Sequence, residues 1–278
     1  MDSLLLASGT AGSAAHRSVE VVRAALTADG AVEVATTSSP AELDVALAGR
    51  GHRRLILAGG DGSLHLLVDR LRRRGELADV PVGLVPMGTG NDFARHLGLP
   101  LDPEQAAEVL LTGHPRRLDL IRSDGGGGLA VNAAHLGKGA EAARRASGLK
   151  SRLGKLAYPL GAIASIVRPR GWRLHVNVDD EVLADGRHRV LMVAIGNGSS
   201  IGGGAPIFPH ADASDGTLDV LVVSRFGALR RASGRAVTVT PAPGVTVGLN
   251  VDGELGELNR RRAWWVEPGA WSAIVPNR

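Results

Sequence analysis

The chain has 278 residues, 44% of them hydrophobic, with a formal charge of +4 and no cysteine. That length admits one large domain or two ordinary ones. The missing cysteines exclude disulfides, thiolate catalysis and cysteine-ligated zinc or iron–sulfur sites. Read in chain order, residues 4–7 form a short apolar run predicted as a strand, and 16–28 a helix with Val19, Val22 and Leu26 on one face. Residues 32–35 predict a second strand and 41–48 a second helix, with Pro40 near its start. Two further strands, 55–58 and 82–85, each run into a glycine-rich loop and then a helical pattern, and 103–111 predicts another helix. This rhythm argues for a three-layer α/β domain with a parallel sheet and helices on both faces. In such sheets ligands bind at the carboxyl ends of the strands.

After Asp119 the pattern changes. Asp124 and the four glycines 125–128 predict a flexible turn, and helical stretches follow around 140–147 and 153–167. From Trp172 onward the chain reads mostly as strand, at 174–178, 190–195, 218–223, 237–240, 245–251 and 273–275, separated by turn dipeptides. We therefore expect an α/β domain over 1–122 and a β-rich, antiparallel, sandwich-like domain over 123–278, the last residues returning to the first domain.

The loops carry the chemistry. Gly59-Gly60-Asp61-Gly62-Ser63 follows the third strand and Gly88-Thr89-Gly90-Asn91-Asp92 the fourth. A strand, a glycine loop and a helix start present backbone N–H groups where a phosphate can sit. An aspartate in each loop suits such a site only if a metal or a proton transfer is involved. Thr89 adds a hydroxyl and Asn91 an amide, while Asp92 is equally a helix cap. Asp212 and Asp215 lie three apart in a turn with Gly216, a set of hard oxygen donors suited to Mg²⁺ or Ca²⁺, though by spacing alone an acidic surface turn. Asp252 in Val-Asp-Gly-Glu reads as a hairpin turn residue.

Together these motifs resemble the diacylglycerol kinase catalytic domain family, which includes bacterial lipid kinases and sphingosine kinases. The resemblance rests on Gly59–Ser63, on Pro86-Met87-Gly88-Thr89-Gly90-Asn91-Asp92-Phe93-Ala94-Arg95, on Asn197-Gly198 with Gly202–Gly204 and 212–220, and on Val251–Glu254, in that order along the chain. It implies an ATP-dependent lipid kinase acting on diacylglycerol or a related lipid, with Mg²⁺, its active site in the cleft between the domains. It assigns nucleotide contacts to Gly59, Gly60, Asp61, Gly62, Ser63, Gly88, Thr89, Gly90 and Asn91, with Thr37 a further candidate. Asp252 is implied to be the general base, Asp61, Asp92 and Asp119 its acidic partners, and Asp212, Asp215 and the Thr217 carbonyl the holders of a structural Mg²⁺. The chain departs from the family at its start. The usual Asn-Pro and glycine turn is replaced by Ser8-Gly9-Thr10-Ala11-Gly12-Ser13, and Ser63 stands where threonine is usual.

An NAD kinase shares the Gly-Gly-Asp-Gly loop, and the altered first turn keeps open a catalytically silent nucleotide- or lipid-binding protein. The histidines form no His-x-x-x-His pair, and no Gly-x-Ser-x-Gly elbow supports a hydrolase. The charge comes from arginine, with three lysines in all; a GC-rich coding sequence explains most of that excess. Arg72–Arg74 and Arg260–Arg262 read as solvated faces that could meet anionic lipid headgroups. Trp264, Trp265 and Trp271 are expected to pack. The start of the chain lacks a basic region before its short apolar run, and no stretch reaches the roughly 18–20 apolar residues of a membrane span. The expected setting is the cytoplasm, with transient contact at the inner membrane surface, no nucleic-acid partner, and a homodimer among the options.

Overall fold

The computed structural model describes residues 1–9, 13–125, 128–137 and 171–277. The helices expected at 140–147 and 153–167, and part of the 8–13 turn, lie outside the described residues. The chain divides into two compact units, Met1–Leu118 with Gly269–Arg278, and Asp119–Pro268.

The first unit alternates β1 (Ser3–Ser8), α1 (Ser13–Thr27), β2 (Val32–Thr37), α2 (Pro40–Ala48), β3 (Arg54–Gly59), α3 (Asp61–Arg73) and β4 (Val82–Pro86). A short α4 (Asp92–His96) and α5 (Pro103–Thr112) follow. Local chemistry sets the helix starts. Ser39 accepts from Glu42 N at 3.2 Å while Glu42 Oε2 accepts from Ser38 N at 2.7 Å, with Pro40 in the first turn. Asp102 accepts from Glu104 N and Gln105 N, both at 3.1 Å, ahead of α5. All strand pairs are parallel, in the order β2-β1-β3-β4. Leu4, Leu5 and Leu6 are all buried, as a strand covered on both faces requires. Leu5, Ala7, Ile56, Ala58 and Val85 pack with Val19, Val22 and Leu26 of α1 and Ala106, Ala107 and Leu110 of α5. Strand alternation sends Leu4, Leu6, Leu55, Leu57 and Leu84 to the other face, where α2 and α3 lie. Because β2 lies on one side of β1 and β3 on the other, the chain reverses its direction of travel between β1 and β3. That switch point is where open α/β sheets leave a crevice beyond their carboxyl ends.

The second unit contains β6 (Leu129–Ala130), β7 (Ala133–Gly137), β8 (Trp172–Val178), β9 (Glu181–Gly196), β10 (Ser200–Ile201) and β11 (Ala205–Pro206). It continues with β12 (Leu218–Ser224), β13 (Leu229–Gly234), β14 (Ala236–Pro241), β15 (Val247–Val251) and β16 (Glu254–Leu258). Two strands cross the division along the chain, β5 (His114–Ser123) and β17 (Arg262–Val275). Among the described residues pairing within the unit is antiparallel. β9 pairs β8 along its first part; its last residues pair β12 on one side and β7 on the other. Alternation is clean in β8, where Leu174, Val176 and Val178 are buried and Arg173 and His175 exposed. These join Val193, Ile195, Val220, Val237, Val239, Leu249 and Trp264 in one core. This is the architecture expected, an α/β unit and a β-rich unit. The reading of 273–275 caught only the end of β17, whose first residues pair β14 while Ala273 pairs Val82; Pro268-Gly269 breaks its pattern midway.

Trp271 is fully buried and stacks on Phe93, ring centroids 5.8 Å apart. Trp271→Ala is expected to destabilise the first unit by about 3–5 kcal/mol. Val45→Ala, at a site 74% exposed, should change stability by less than about 0.5 kcal/mol. Urea unfolding of both variants measures the contrast.

Candidate functional site

At the carboxyl edge of the parallel sheet the two glycine loops touch. A Cβ on Gly60 would lie 2.7 Å from Gly88 Cα, and one on Gly88 2.6 Å from Gly60 Cα. Both neighbours are backbone, so neither can yield as a side-chain tip would. Met87 N donates to Gly59 O at 3.0 Å, continuing the β3–β4 ladder into the loops. Asp61, the first residue of α3, accepts from Asp92 N and Phe93 N, both at 3.2 Å, and so caps α4 from another helix. Asn91 holds the left-handed conformation (φ 52°), its Oδ1 accepting from Gly88 N at 2.8 Å and its Nδ2 donating to Gly88 O at 2.9 Å. Asn91 and Asp92 are buried. Gly60 at the cap of α3 supplies no side-chain acceptor, unlike Ser39 and Asp102 at α2 and α5. The first turn of α3 thus presents backbone N–H groups at the sheet's ligand edge.

Ser8, Thr37, Gly59 and Pro86 end the four neighbouring strands. Gly9 N donates to Thr37 O at 2.9 Å, which ties the start of the next turn to the end of β2. The first unit therefore brings together Thr37, Gly59–Ser63 and Gly88–Asp92 along one edge.

The second unit assembles the remaining candidates. Asp252 and Gly253 form the β15–β16 turn, both with positive φ (47° and 99°), as a type I′ hairpin needs. The Asp252 carboxylate accepts from Val131 N at 2.6 Å, Asn132 N at 3.0 Å and Ala133 N at 2.9 Å. Asn197 Nδ2 donates to both Asp119 O (3.0 Å) and Val131 O (3.1 Å). Asp119 Oδ2 accepts from Gly216 N at 2.7 Å, and Asp119 N donates to Ala213 O at 2.7 Å. One network thus joins Asp252, the 131–133 segment, Asn197, Asp119 and the 212–217 loop. In that loop Asp212 Oδ1 accepts from Ser214 and Asp215 Oδ1 from Thr217, each through backbone N and hydroxyl. Asp212 and Asp215 are exposed. Among the described residues no group of three or more His, Asp or Glu side chains is placed to hold an ion, so a metal here would draw on backbone oxygens as well.

Three residues had drawn no attention as individual site residues. The buried Asn132 and Asn197 place their Nδ2 on carbonyls, while their Oδ1 atoms find no donor among the described residues. His135 is pushed down to about 4, first by burial and against the opposing pull of Asp252. The long-range pairings of β7 with β15 and with β9 reveal its setting.

Other candidates resolve simply. Arg72 and Arg73 pair with Asp69 (3.5 and 2.6 Å) and Arg74 with Glu76 (2.8 Å), so each arginine of that run already has a carboxylate partner. Arg261 reaches Asp124, and Arg262 lies 5.9 Å over the Trp264 ring. Trp264 and Trp271 pack in cores, whereas Trp265 is 38% exposed. No helix among the described residues is long and apolar enough to cross a membrane.

Residues 3–123 match the diacylglycerol kinase catalytic domain, and 132–233 the YegS C-terminal NAD kinase beta sandwich-like domain. A "Probable lipid kinase YegS-like" of Pseudomonas aeruginosa is 33% identical over 246 residues, 81% of this chain and 78% of that protein. The chain belongs to the diacylglycerol kinase catalytic domain family. Other members include a "Probable lipid kinase YegS-like" of Stenotrophomonas maltophilia, 36% identical over 61% of this chain and 55% of that one. A "Diacylglycerol kinase" of Mycobacterium tuberculosis is 30% identical over 77% and 66%. The match therefore spans less than two thirds of those two relatives. A crystal structure of a diacylglycerol kinase from Bacillus anthracis shares the fold at a TM-score of 0.73 and 18% identity, covering 99% of this chain and 96% of that one. A second structure from that organism reaches 0.80 at 22% identity.

Gly60→Ala is expected to lower stability by about 1–3 kcal/mol through the clash with Gly88. Gly62→Ala, with nothing within 4 Å and a helical position, should raise it by roughly 0.5–1 kcal/mol. Paired denaturation curves test both. His135 sets a pH dependence. Its folded value lies below the ordinary 6.5, so its stabilising contribution is present above about pH 6.5 and is lost as pH falls toward 4. The residue is only part-buried, so the loss has a ceiling of about 3 kcal/mol. Urea titrations at pH 7, 5.5 and 4 should show that slope, and His135→Leu should flatten it.

Proposed function

We propose that this chain is a lipid kinase that moves the γ-phosphoryl group of ATP to the hydroxyl of diacylglycerol or a related lipid. The observation that carries the reading is the contact of the Gly60 and Gly88 loops at the carboxyl edge of a parallel sheet, braced by Asp61. Such a contact leaves backbone N–H groups and a helix start at the edge where a phosphate chain can sit. Gly59, Gly60, Gly62, Ser63, Gly88, Thr89, Gly90 and Asn91 would hold the nucleotide, with Thr37 at the end of the neighbouring strand.

Asp252 is assigned as the general base. In the transfer, the acceptor oxygen gives its proton to the carboxylate, a new O–P bond forms, and the bond from the γ-phosphorus to the bridging oxygen breaks to release ADP. Three backbone N–H donors hold that carboxylate in place. Mg²⁺, when bound, would neutralise charge on the phosphates. Asp61, Asp92 and Asp119 are the hard donors assigned to it. Asp61 and Asp119 already bind backbone N–H groups, so they would act on the ion while also holding their loops. Asp212, Asp215 and the Thr217 carbonyl form an exposed oxygen set compatible with a second, structural Mg²⁺.

A second reading follows from the match of 132–233 to an NAD kinase-like sandwich, in which the acceptor is the NAD ribose. The test offers labelled ATP and Mg²⁺ to mixed micelles of diacylglycerol, ceramide, sphingosine and monoacylglycerol, with NAD in parallel. Label in a lipid is expected; label in NAD alone would reverse the choice of acceptor. Asp252→Asn should reduce transfer by about 100- to 10,000-fold. Its amide nitrogen would face backbone donors, so a stability loss of about 1–3 kcal/mol should accompany it. Assays are therefore run well below the unfolding transition, where ATP affinity should stay within about twofold of wild type.

A further inference from the structure

The hairpin that joins β12 to β13 leaves large apolar side chains in solvent. At its tip Phe226 is 82% exposed, and Leu229, the first residue of β13, is 58% exposed. Gly227, at φ +81° with open space around it, lets the chain reverse there. β13 pairs with β12 and with no other described strand, so the hairpin lies on the edge of the sheet.

Around this apolar tip the charge is positive. Arg225 and Arg230 are exposed, and Arg225 N donates to Arg189 O at 2.8 Å. Arg189 in turn lies directly opposite Arg173 in the β8–β9 ladder. Like charges facing each other across an antiparallel pair are destabilising. Among the described residues no carboxylate pairs with any of these four arginines; Arg189 and Arg230 reach only the carbonyls of Gly171 and Leu183. An external anionic surface would relieve that repulsion and would also bury the two apolar side chains.

We propose that this hairpin docks the protein on an anionic bilayer, Phe226 and Leu229 entering the interface and Arg173, Arg189, Arg225 and Arg230 meeting lipid phosphates. Aromatic side chains partition to that depth, and each arginine near a charged leaflet adds about fivefold in binding. The choice of a bilayer over other polyanions rests on the lipid-kinase reading, but docking is measured without turnover.

Flotation with phosphatidylcholine vesicles, with and without 30% phosphatidylglycerol, supplies the test. Wild type should float with the anionic vesicles, stay behind with the neutral ones, and be released at 0.5 M salt. Phe226→Ser/Leu229→Ser and Arg225→Glu/Arg230→Glu should each weaken anionic binding at least tenfold, with unfolding curves like wild type because the sites are exposed. Phe226→Trp should keep binding. Unchanged binding in both double variants, equal binding to neutral vesicles, or a hairpin-dependent shift with RNA and none with vesicles would each overturn the proposal. Hairpin-dependent floating without transfer to any lipid would sink the kinase reading and leave docking standing. Transfer to vesicle lipid that ignores the hairpin would do the reverse.

Discussion

The first unit depends on a backbone-to-backbone contact between two glycines. β3 and β4 run side by side in register to Gly59 and Pro86, and immediately beyond them Gly60 and Gly88 meet with no room for a Cβ on either. Any side chain there would drive the strands' exits apart. The contact brings Asp61 within reach of the N–H groups of Asp92 and Phe93, so the start of α3 caps the start of α4. Phe93 in turn stacks on Trp271 from the last strand, which ties the loop geometry to the core. The candidate phosphate cradle is a consequence of sheet register and sterics, set before any ligand arrives.

The second unit uses the same device repeatedly. Asp252 gathers the N–H groups of 131–133, Asp119 takes that of Gly216, and Asp179 takes those of Arg235 and Ala236. An ionised acceptor bonded to backbone donors is among the stronger hydrogen bonds available, so each carboxylate fastens a loop as well as carrying charge. A residue of this kind has two reasons to be aspartate. Loss of function on replacing it does not by itself separate chemistry from architecture, and a stability measurement must accompany any rate.

Much of the α/β unit was legible because strand, glycine loop and helix follow each other with clear periodicity and cap residues such as Ser39 and Asp102. The β-rich unit was harder. β9 changes partners along its length, β13 is rich in arginine on an exposed edge, and β17 hides a Pro-Gly step within a single strand. Local pattern cannot register such features, because pairing rather than propensity decides them. The glycine and aspartate motifs themselves were visible, and Asp252-Gly253 is the hairpin turn its sequence suggested. What those aspartates bind was not visible: Asp61 reaches across 31 positions, Asp119 across 97 and Asp252 across about 120. Asn132 and His135 went unnoticed for the same reason.

Nucleotide binding by the braced glycine loops is the central claim. Calorimetric titration of Mg·ATP into wild type and Asp61→Ala, both held well below their unfolding temperatures, measures this most directly. Wild type is expected to bind saturably, and the affinity is expected to fall at least tenfold once α4 loses its cap. Equal affinity in the two proteins, or no binding by the folded wild type, would contradict that claim.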